Sequence, residues 1–246
     1  MASPLIQAGR WLFRFRSVTP VPVLVGLFFL LWRSRADLGP FGPGGDLALD
    51  ALGLLCACAG EAVRLYVTGW VPEGTSGQND RLEASVLNTR GPYAHVRNPL
   101  YVGNFFICLG LSLIAADGWA ALLGLGFFAF EYFFIVRAEE DFLRGRFQAT
   151  FDAYCAQVPR WLPRLSAASE GKLREGRFDW RRALKKEHNP MAAWLLGAIA
   201  LLTWEHVARG GALGPALLIA FTAGGLVVAG FLAVKGWKHG WLKRAT

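Results

Sequence analysis

Long apolar runs recur along the chain and limit what it can fold into. Such runs lie at roughly 18–32, 47–67, 99–116, 119–136, 191–208 and 213–234. A helix needs about 17–25 mostly apolar residues to cross a bilayer, and it satisfies its own backbone hydrogen bonds there. The sequence therefore predicts an all-α protein, a polytopic membrane helix bundle with about six transmembrane helices.

Basic residues are distributed unevenly among the segments that join these runs. Most of the 26 lysines and arginines fall at 1–17, 70–98, 137–190 and 235–246. The segments on the other side hold only Arg33, Arg35 and Arg209. Because cytoplasmic loops are enriched in Lys and Arg, we predict that both termini and the basic segments face the cytoplasm.

Composition argues against several other classes of protein. The net charge of +8 is spread over several segments beside predicted spans. This distribution favours anionic lipid headgroups over a nucleic acid as its partner. The four cysteines form no C-x-x-C pair, and the four histidines are dispersed. We therefore predict neither a metal site nor a disulfide framework.

A polar, turn-forming stretch from Gly91 to Asn98 leads directly into the third apolar run. Asn98 precedes Pro99, which disfavours helix at Asn98 and suits the first helical position at Pro99. The free N–H groups at such a helix start attract a carboxylate or a phosphate. Tyr93 and Tyr101 add aromatic faces and hydroxyls. We interpret the stretch as a candidate cofactor site; the alternative is an interfacial turn with aromatic-belt tyrosines.

Two acids, Glu139 and Glu140, follow the fourth apolar run, which is one short hairpin after the third. If the two helices pack antiparallel, these carboxylates lie beside Arg97 and Tyr101. An acid pair in that place can bind an amine or the hydroxyls of a ribose. The alternative is that both acids pair with neighbouring arginines of the same helix on a solvated surface.

A second charged pair lies inside the second apolar run, where Glu61 and Arg64 are three residues apart. Residues at this spacing share one face of a helix, so the two charges can neutralise each other. An ionisable pair within a membrane helix is also typical of a substrate path. The sequence leaves both interpretations open.

Changes in pattern divide the chain into four parts. Helical periodicity continues beyond the fourth run as an amphipathic segment up to Pro159, which predicts a cytoplasmic helix along the membrane face. A linker and a basic segment follow. The predicted parts are an N-terminal span and loop, a core, a basic cytoplasmic interfacial segment and a C-terminal helical hairpin, at 1–46, 47–163, 164–190 and 191–246.

Two ordered motifs resemble those of a known family. The first is Gly-Pro-Tyr followed by Val-Arg-Asn-Pro-Leu-Tyr-Val-Gly, and the second is Arg-x-Glu-Glu with a downstream Val-Pro-Arg. Over roughly 47–163 the chain resembles the isoprenylcysteine carboxyl methyltransferase and phospholipid methyltransferase family, in particular its bacterial members. The resemblance implies S-adenosylmethionine bound at the cytoplasmic face of a bacterial inner membrane. It also implies a lipophilic methyl acceptor that arrives from the bilayer.

Carried over motif by motif, the resemblance implies two groups of site residues. The cofactor would be bound by Tyr93, Asn98, Pro99, Leu100, Tyr101, Gly103, Glu139 and Glu140, with Gln78 and Asn88 as further candidates. The acceptor would be held by Arg137 and Arg64, as catalytic residues. The family usually has His in place of Asn98 and Gly in place of Gln148. An asparagine amide still donates a hydrogen bond, but it cannot carry a charge.

The predicted function is therefore S-adenosylmethionine-dependent methyl transfer to a lipid phosphate, a lipid headgroup or an isoprenoid carboxylate. Two alternatives remain from the sequence. One is a methyltransferase that acts on a small thiol. The other is a non-enzymatic membrane transporter or scaffold, although a transporter would distribute polar residues along the interior of its spans. Here the polar motifs collect at one face of the predicted bundle.

Overall fold

The computed structural model describes residues 3–33, 42–71, 82–166, 178–208 and 210–239. Within these ranges the chain forms helices and no strand, which confirms the all-helical prediction. A short 3-10 turn lies at Gly91–Ala94. The α-helices are α1 (Pro4–Phe15), α2 (Pro20–Arg33), α3 (Gly42–Trp70), α4 (Pro99–Ala115), α5 (Gly118–Gln157), α6 (Trp180–Ala208) and α7 (Leu213–Lys238).

Glycines bring α3 and α4 into backbone contact. A Cβ atom added to Gly60 would lie 2.5 Å from the carbonyl oxygen of Gly103, and one added to Gly110 would lie 2.4 Å from the carbonyl oxygen of Gly53. Small residues at such spacing let two membrane helices approach closely. The two contacts also fix the pair as antiparallel, since the early residue of α3 meets the late residue of α4.

A tight turn joins α4 to α5 at the position that the sequence predicts for a hairpin. Ala116 ends α4 in the left-handed region, with φ of 48°. The Asp117 side chain then accepts a 2.7 Å hydrogen bond from the Ala120 backbone N–H and caps α5. The turn makes α4 and α5 antiparallel, so the first residues of α4 lie beside the later part of α5.

The fourth predicted span and the amphipathic segment after it form one helix, α5. Its apolar part covers 118–136, and its polar part continues to Gln157. The backbone is interrupted at Gln148, where φ is 45° and ψ is −125°. That conformation is normally restricted to glycine. Glycine, which the family that the motifs resemble usually has at this position, adopts this conformation without strain.

The remaining helices surround this central group. The sequence predicts no helix in the N-terminal tail, yet α1 forms there and packs on α5, at a bend of 74° to α2. At the other side of the bundle, α6 packs on α3, and α7 packs on α6. Helix α6 runs continuously through Pro190, so it joins part of the predicted interfacial segment to the predicted hairpin.

The predicted count of about six transmembrane helices is not confirmed. Three helices among the described residues are long and apolar enough to cross a membrane, namely α5, α6 and α7. The bent pair of α1 and α2 would be a fourth span. Helix α4 is apolar but has only 17 residues.

Candidate cofactor site

Residues 91–98, which we call the motif turn, are held in place by the chain that follows α5. The Arg97 backbone N–H donates to the carbonyl oxygen of Pro159 at 2.9 Å, and the Asn98 side-chain amide donates to that of Arg160 at 3.0 Å. From α5 itself, the Tyr154 hydroxyl donates to the carbonyl oxygen of Tyr93 at 2.8 Å. The Val-Pro-Arg sequence after α5 therefore holds the motif turn in place through its backbone carbonyl groups.

Glu140 connects the two motifs through charge. One of its carboxylate oxygens lies 3.0 Å from an Arg97 nitrogen, and the other lies 2.6 Å from an Arg160 nitrogen. The Glu140 side chain is only 8% exposed. Both oxygens of Glu140 already have cationic partners. Glu140 therefore holds Arg97 and Arg160 in place and has few free acceptor positions for a ligand.

Glu139 is in a different situation. It accepts a 2.9 Å hydrogen bond from the Tyr101 hydroxyl, and it lies beyond the apolar part of α5. Burial raises the pKa of Glu139 from 4.5 to about 7, against the opposing effects of the Tyr101 hydrogen bond and the Arg16 charge. A buried carboxyl group whose pKa is raised towards neutrality favours a cationic partner.

The structure thus brings the two acids to Tyr101 and Arg97, as antiparallel packing requires. The neighbouring arginines of the same helix have other partners. Arg137 lies over the Phe133 ring at 3.8 Å, and Arg144 pairs with Asp152 at 2.9 Å.

A cavity of about 120 Å³ opens between the motif turn, α5 and α1. The polar residues of its lining include Asn88, Tyr93, Arg97, Asn98, Tyr101, Glu139 and Glu140. The apolar residues of its lining are mainly Phe13, Leu82, Leu87, Phe142, Leu143 and Phe151. Ligand sites typically combine an apolar surface with a few convergent polar groups.

Most of the predicted cofactor residues line this cavity. Besides the polar residues just named, Leu100 does so. Pro99 begins α4 next to the cavity without lining it, while Gly103 faces α3, where an added Cβ would meet the Arg64 side chain at 2.7 Å. Gln78 lies outside the described residues. Among the described residues the cavity is not lined by Arg137 or Arg64.

Arg64 belongs to a separate buried network behind the cavity. Its guanidinium donates to Glu187 of α6 at 2.9 and 2.5 Å, and also to the Asn104 side chain. Asn104 in turn donates to the Tyr132 hydroxyl at 2.8 Å, and the Tyr132 ring lies 4.4 Å from that of Tyr101. The network therefore extends from α6 to the wall of the cavity.

Glu61 and Arg64 do not form the pair that their spacing allows. Glu61 instead accepts a 2.9 Å hydrogen bond from the indole N–H of Trp194. Both partners of the predicted pair thus lie on α6, more than a hundred residues away in the chain.

Sequence reasoning missed several residues of the site. Arg97 was expected beside the acids but not as a ligand residue, yet its Nε is buried without an acceptor among the described residues. Phe13 was missed because the N-terminal tail showed no apolar run; the signals for its helix are Ser3 as N-cap, Pro4 at the helix start and amphipathic spacing. For Arg160, the Val-Pro-Arg motif was a signal, although its partner Glu140 was not foreseen.

The central segment is similar to a known family. Residues 50–150 match the model of the phospholipid methyltransferase family. The match agrees with the resemblance that the two motifs carry. The matched segment includes most of α3, all of α4 and α5 up to Thr150, and hence the motif turn and both acids.

Two curated bacterial proteins are similar to this chain. One is the nickel-cobalt-cadmium resistance protein NccN of Alcaligenes xylosoxydans xylosoxydans, 34% identical over 122 residues, which are 49% of this chain and 51% of that protein. The other is the cobalt-zinc-cadmium resistance protein CzcN of Cupriavidus metallidurans, 31% identical over 155 residues, which are 61% of this chain and 62% of that protein. The match thus spans about half to three fifths of these relatives. No solved structure matches the chain.

Proposed function

We propose that the protein is an S-adenosylmethionine-dependent membrane methyltransferase with a lipophilic acceptor. The observation that carries the proposal is that the segment matching the methyltransferase family supplies most of the polar residues that line the cavity. Within that segment, Tyr101 and Glu139 come from two different helices and meet at 2.9 Å. This arrangement is not needed by a transporter or a scaffold.

The cavity residues fit the charged end of the cofactor. S-adenosylmethionine carries an ammonium, a carboxylate and a sulfonium group, so a site for it needs both an acceptor and a donor. Glu139 supplies a half-buried carboxylate in the cavity lining for the cationic end. Arg97 supplies a buried Nε–H that has no acceptor among the described residues. Such charge-assisted hydrogen bonds are stronger than neutral ones.

An apolar part of the cavity lining suits the adenine ring. Leu87, Leu143 and Phe151 line the cavity and pack in one cluster. The volume of about 120 Å³ is below the roughly 300–1,000 Å³ of sites that enclose a small-molecule ligand. We therefore expect the cavity to widen when the cofactor binds.

The bound cofactor would supply a methyl group already activated on a sulfonium. An anionic acceptor then needs little acid–base chemistry, and the protein contributes alignment, which is worth up to about 7–11 kcal/mol. Tyr101 orients the Glu139 carboxylate, and Glu140 holds Arg97 in place from the other side. These residues bind and position; none has to move a proton.

We assign the acceptor to the neighbourhood of Arg137. This residue is half-buried at the end of the apolar part of α5, where an amphiphile can place its headgroup while its tail stays in the bilayer. Its guanidinium rests on the Phe133 ring, which is 44% exposed. Arg64 is less suitable because it is 7% exposed and already paired with Glu187.

The names of the two relatives suggest a physiological setting. Both describe resistance to cobalt and cadmium ions, and neither describes a reaction. We propose that methylation of a membrane component contributes to metal tolerance in the source organism. Growth of a deletion strain in graded cobalt or cadmium, complemented with the wild-type or the Glu139→Gln gene, tests this setting.

The experiment for the proposed function is transfer of labelled methyl groups to lipid. Membranes that contain the protein are incubated with S-adenosylmethionine tritiated on the methyl group, and the lipid extract is counted and analysed by mass spectrometry. We expect tritium in lipid and a species heavier by one CH₂ group, both strongly reduced with Glu139→Gln. Equal label in membranes with and without the protein would contradict a lipid acceptor.

A further inference from the structure

The N-terminal helix α1 lies outside the segment that matches the methyltransferase family, yet it reaches the cavity. The matched segment begins at residue 50, whereas α1 covers Pro4–Phe15. Phe13 lines the cavity together with Tyr101 and Glu139, and its side chain is 2% exposed. It packs in one apolar cluster with Tyr101, Ile135 and Val136.

The helix is seated on α5 by close backbone contact. A Cβ atom added to Gly9 would lie 2.2 Å from the carbonyl oxygen of Phe134 and 2.9 Å from the Cβ of Ala138. Only a glycine allows this approach, because a backbone carbonyl cannot rotate away as a flexible side chain can. The ion pair of Arg10 with Asp141 at 3.0 Å lies one residue further along the same contact.

The end of α1 is held in position as well. The Arg16 guanidinium lies 4.2 Å over the Phe13 ring and donates to the Phe13 carbonyl oxygen at 2.7 Å. The next residues turn the chain by 74° into α2, and the Thr19 hydroxyl at that corner donates to Glu131 of α5. Phe13 is thus fixed from both sides, which is more than a membrane anchor requires.

We propose that α1 is a wall of the cofactor site and that Phe13 contacts the bound cofactor. The inference rests on the proposed function. Phe13 is an apolar residue of the cavity lining and packs with Tyr101, so its contact with the cofactor is an apolar one. Gly9 is a positioning residue, since it acts only by letting α1 lie against α5.

The test measures binding of S-adenosylhomocysteine to the full chain in a mild neutral detergent. Phe13→Ala removes the contact and should weaken binding about tenfold or more, the scale of losing one buried aromatic side chain. Phe15→Ala is the matched control, because Phe15 is on the same helix, 37% exposed, and does not line the cavity. It should bind like the wild type.

A second pair of variants moves the helix and leaves its side chains unchanged. Gly9→Ala places a Cβ against the Phe134 carbonyl and should lift α1 and weaken binding, in protein that still melts cooperatively. Gly126→Ala makes the same change in α5 where nothing lies within 4 Å, and should have no effect on affinity. This pair decides the question even if Phe13→Ala fails to fold.

The outcomes separate the two proposals. If the wild type binds and both Phe13→Ala and Gly9→Ala bind equally well, α1 is an anchor only and the inference is overturned. If the wild type does not bind S-adenosylhomocysteine, the proposed function fails and the inference fails with it.

Discussion

The Tyr101 hydroxyl donates a 2.9 Å hydrogen bond to the Glu139 carboxylate, which joins the start of α4 to the polar part of α5. The two residues are 38 positions apart and come from different sequence motifs. Their contact depends on the tight turn at Ala116 and Asp117, which returns the chain antiparallel to itself. The cavity therefore depends on the α4–α5 hairpin as much as on the motifs.

Glu139 should lower the stability of the ligand-free protein at neutral pH. Its pKa is about 7 in the folded protein against 4.5 as the ordinary value, so the folded state holds the proton more tightly than the unfolded state. The tighter binding of this proton adds to the free energy of unfolding; the added stability is complete below pH 4.5 and is lost as the pH rises to about 7. Glu139→Gln keeps the neutral form at every pH. In thermal melts, we expect the melting temperature of Glu139→Gln to exceed that of the wild type by an amount that grows between pH 4.5 and 7 and then stays constant. A difference in melting temperature that does not change with pH would contradict the assignment.

Glu140 should behave in the opposite way, because its charge is paired. Glu140→Gln removes the charge between Arg97 and Arg160 and leaves two cations close together. Breaking a buried ion pair in this manner typically costs about 3–5 kcal/mol, and partial exposure of Arg160 reduces that figure here. A clear fall in melting temperature is expected for Glu140→Gln. The exposed pair of Arg144 with Asp152 gives the control, since Asp152→Asn should change the melting temperature little.

Gln148→Gly should stabilise the protein. The left-handed φ of 45° at Gln148 costs a residue with a side chain of order 1–3 kcal/mol, and glycine adopts it without strain. The gain is reduced by the greater freedom of glycine in the unfolded chain. Ala149→Gly, at the next exposed helical position, is the control and should destabilise by about 1 kcal/mol. Chemical denaturation of both variants measures the difference; a destabilised Gln148→Gly would show that the helix is regular there.

The ion pair of Arg64 with Glu187 predicts that a second substitution restores the stability that a first one removes. Glu187→Met leaves the Arg64 guanidinium buried without its counter-ion and should destabilise strongly. Adding Arg64→Met replaces the whole ion pair by apolar side chains of similar length. The double variant should then recover most of the lost melting temperature, because such replacements are often neutral or stabilising. No recovery in the double variant would mean that Arg64 and Glu187 act independently.

The sequence predicted local features better than distant ones. The cores of α2 to α7 and the hairpin at Asp117 follow from apolar length and turn residues, which are local properties. The sequence also predicted that the two motifs lie close together, because only a short turn joins the two helices that carry them. By contrast, α1 has local start signals in Ser3 and Pro4, but its docking on α5 through Gly9 is a distant contact that the sequence does not show.

Long-range partners could not be predicted from the sequence. Arg64 has an acid three residues away, but its partner is Glu187, 123 positions later. The choice depends on how α6 packs against α3, and spacing along one helix carries no information on that. The same holds for Glu140, whose partner Arg160 is set by the path of the chain after α5.

The separation of cofactor and acceptor roles can be tested at Arg137. Arg137→Ala should leave S-adenosylhomocysteine affinity close to that of the wild type, because its side chain does not line the cavity. It should reduce methyl transfer to lipid, because the proposed partner of Arg137 is the acceptor headgroup. Loss of cofactor binding in folded Arg137→Ala protein would place this residue in the cofactor site instead.

Calorimetric titration of the purified protein with S-adenosylhomocysteine tests the central claim most directly. The account predicts saturable binding by the wild type, and binding about ten- to a hundredfold weaker by Glu139→Gln, the scale of losing one hydrogen bond to a charged group. Asp152→Asn, which changes an exposed acid of the same helix outside the cavity, should bind like the wild type. Absence of binding by the wild type, or equal affinity of the wild type and Glu139→Gln, would contradict the account.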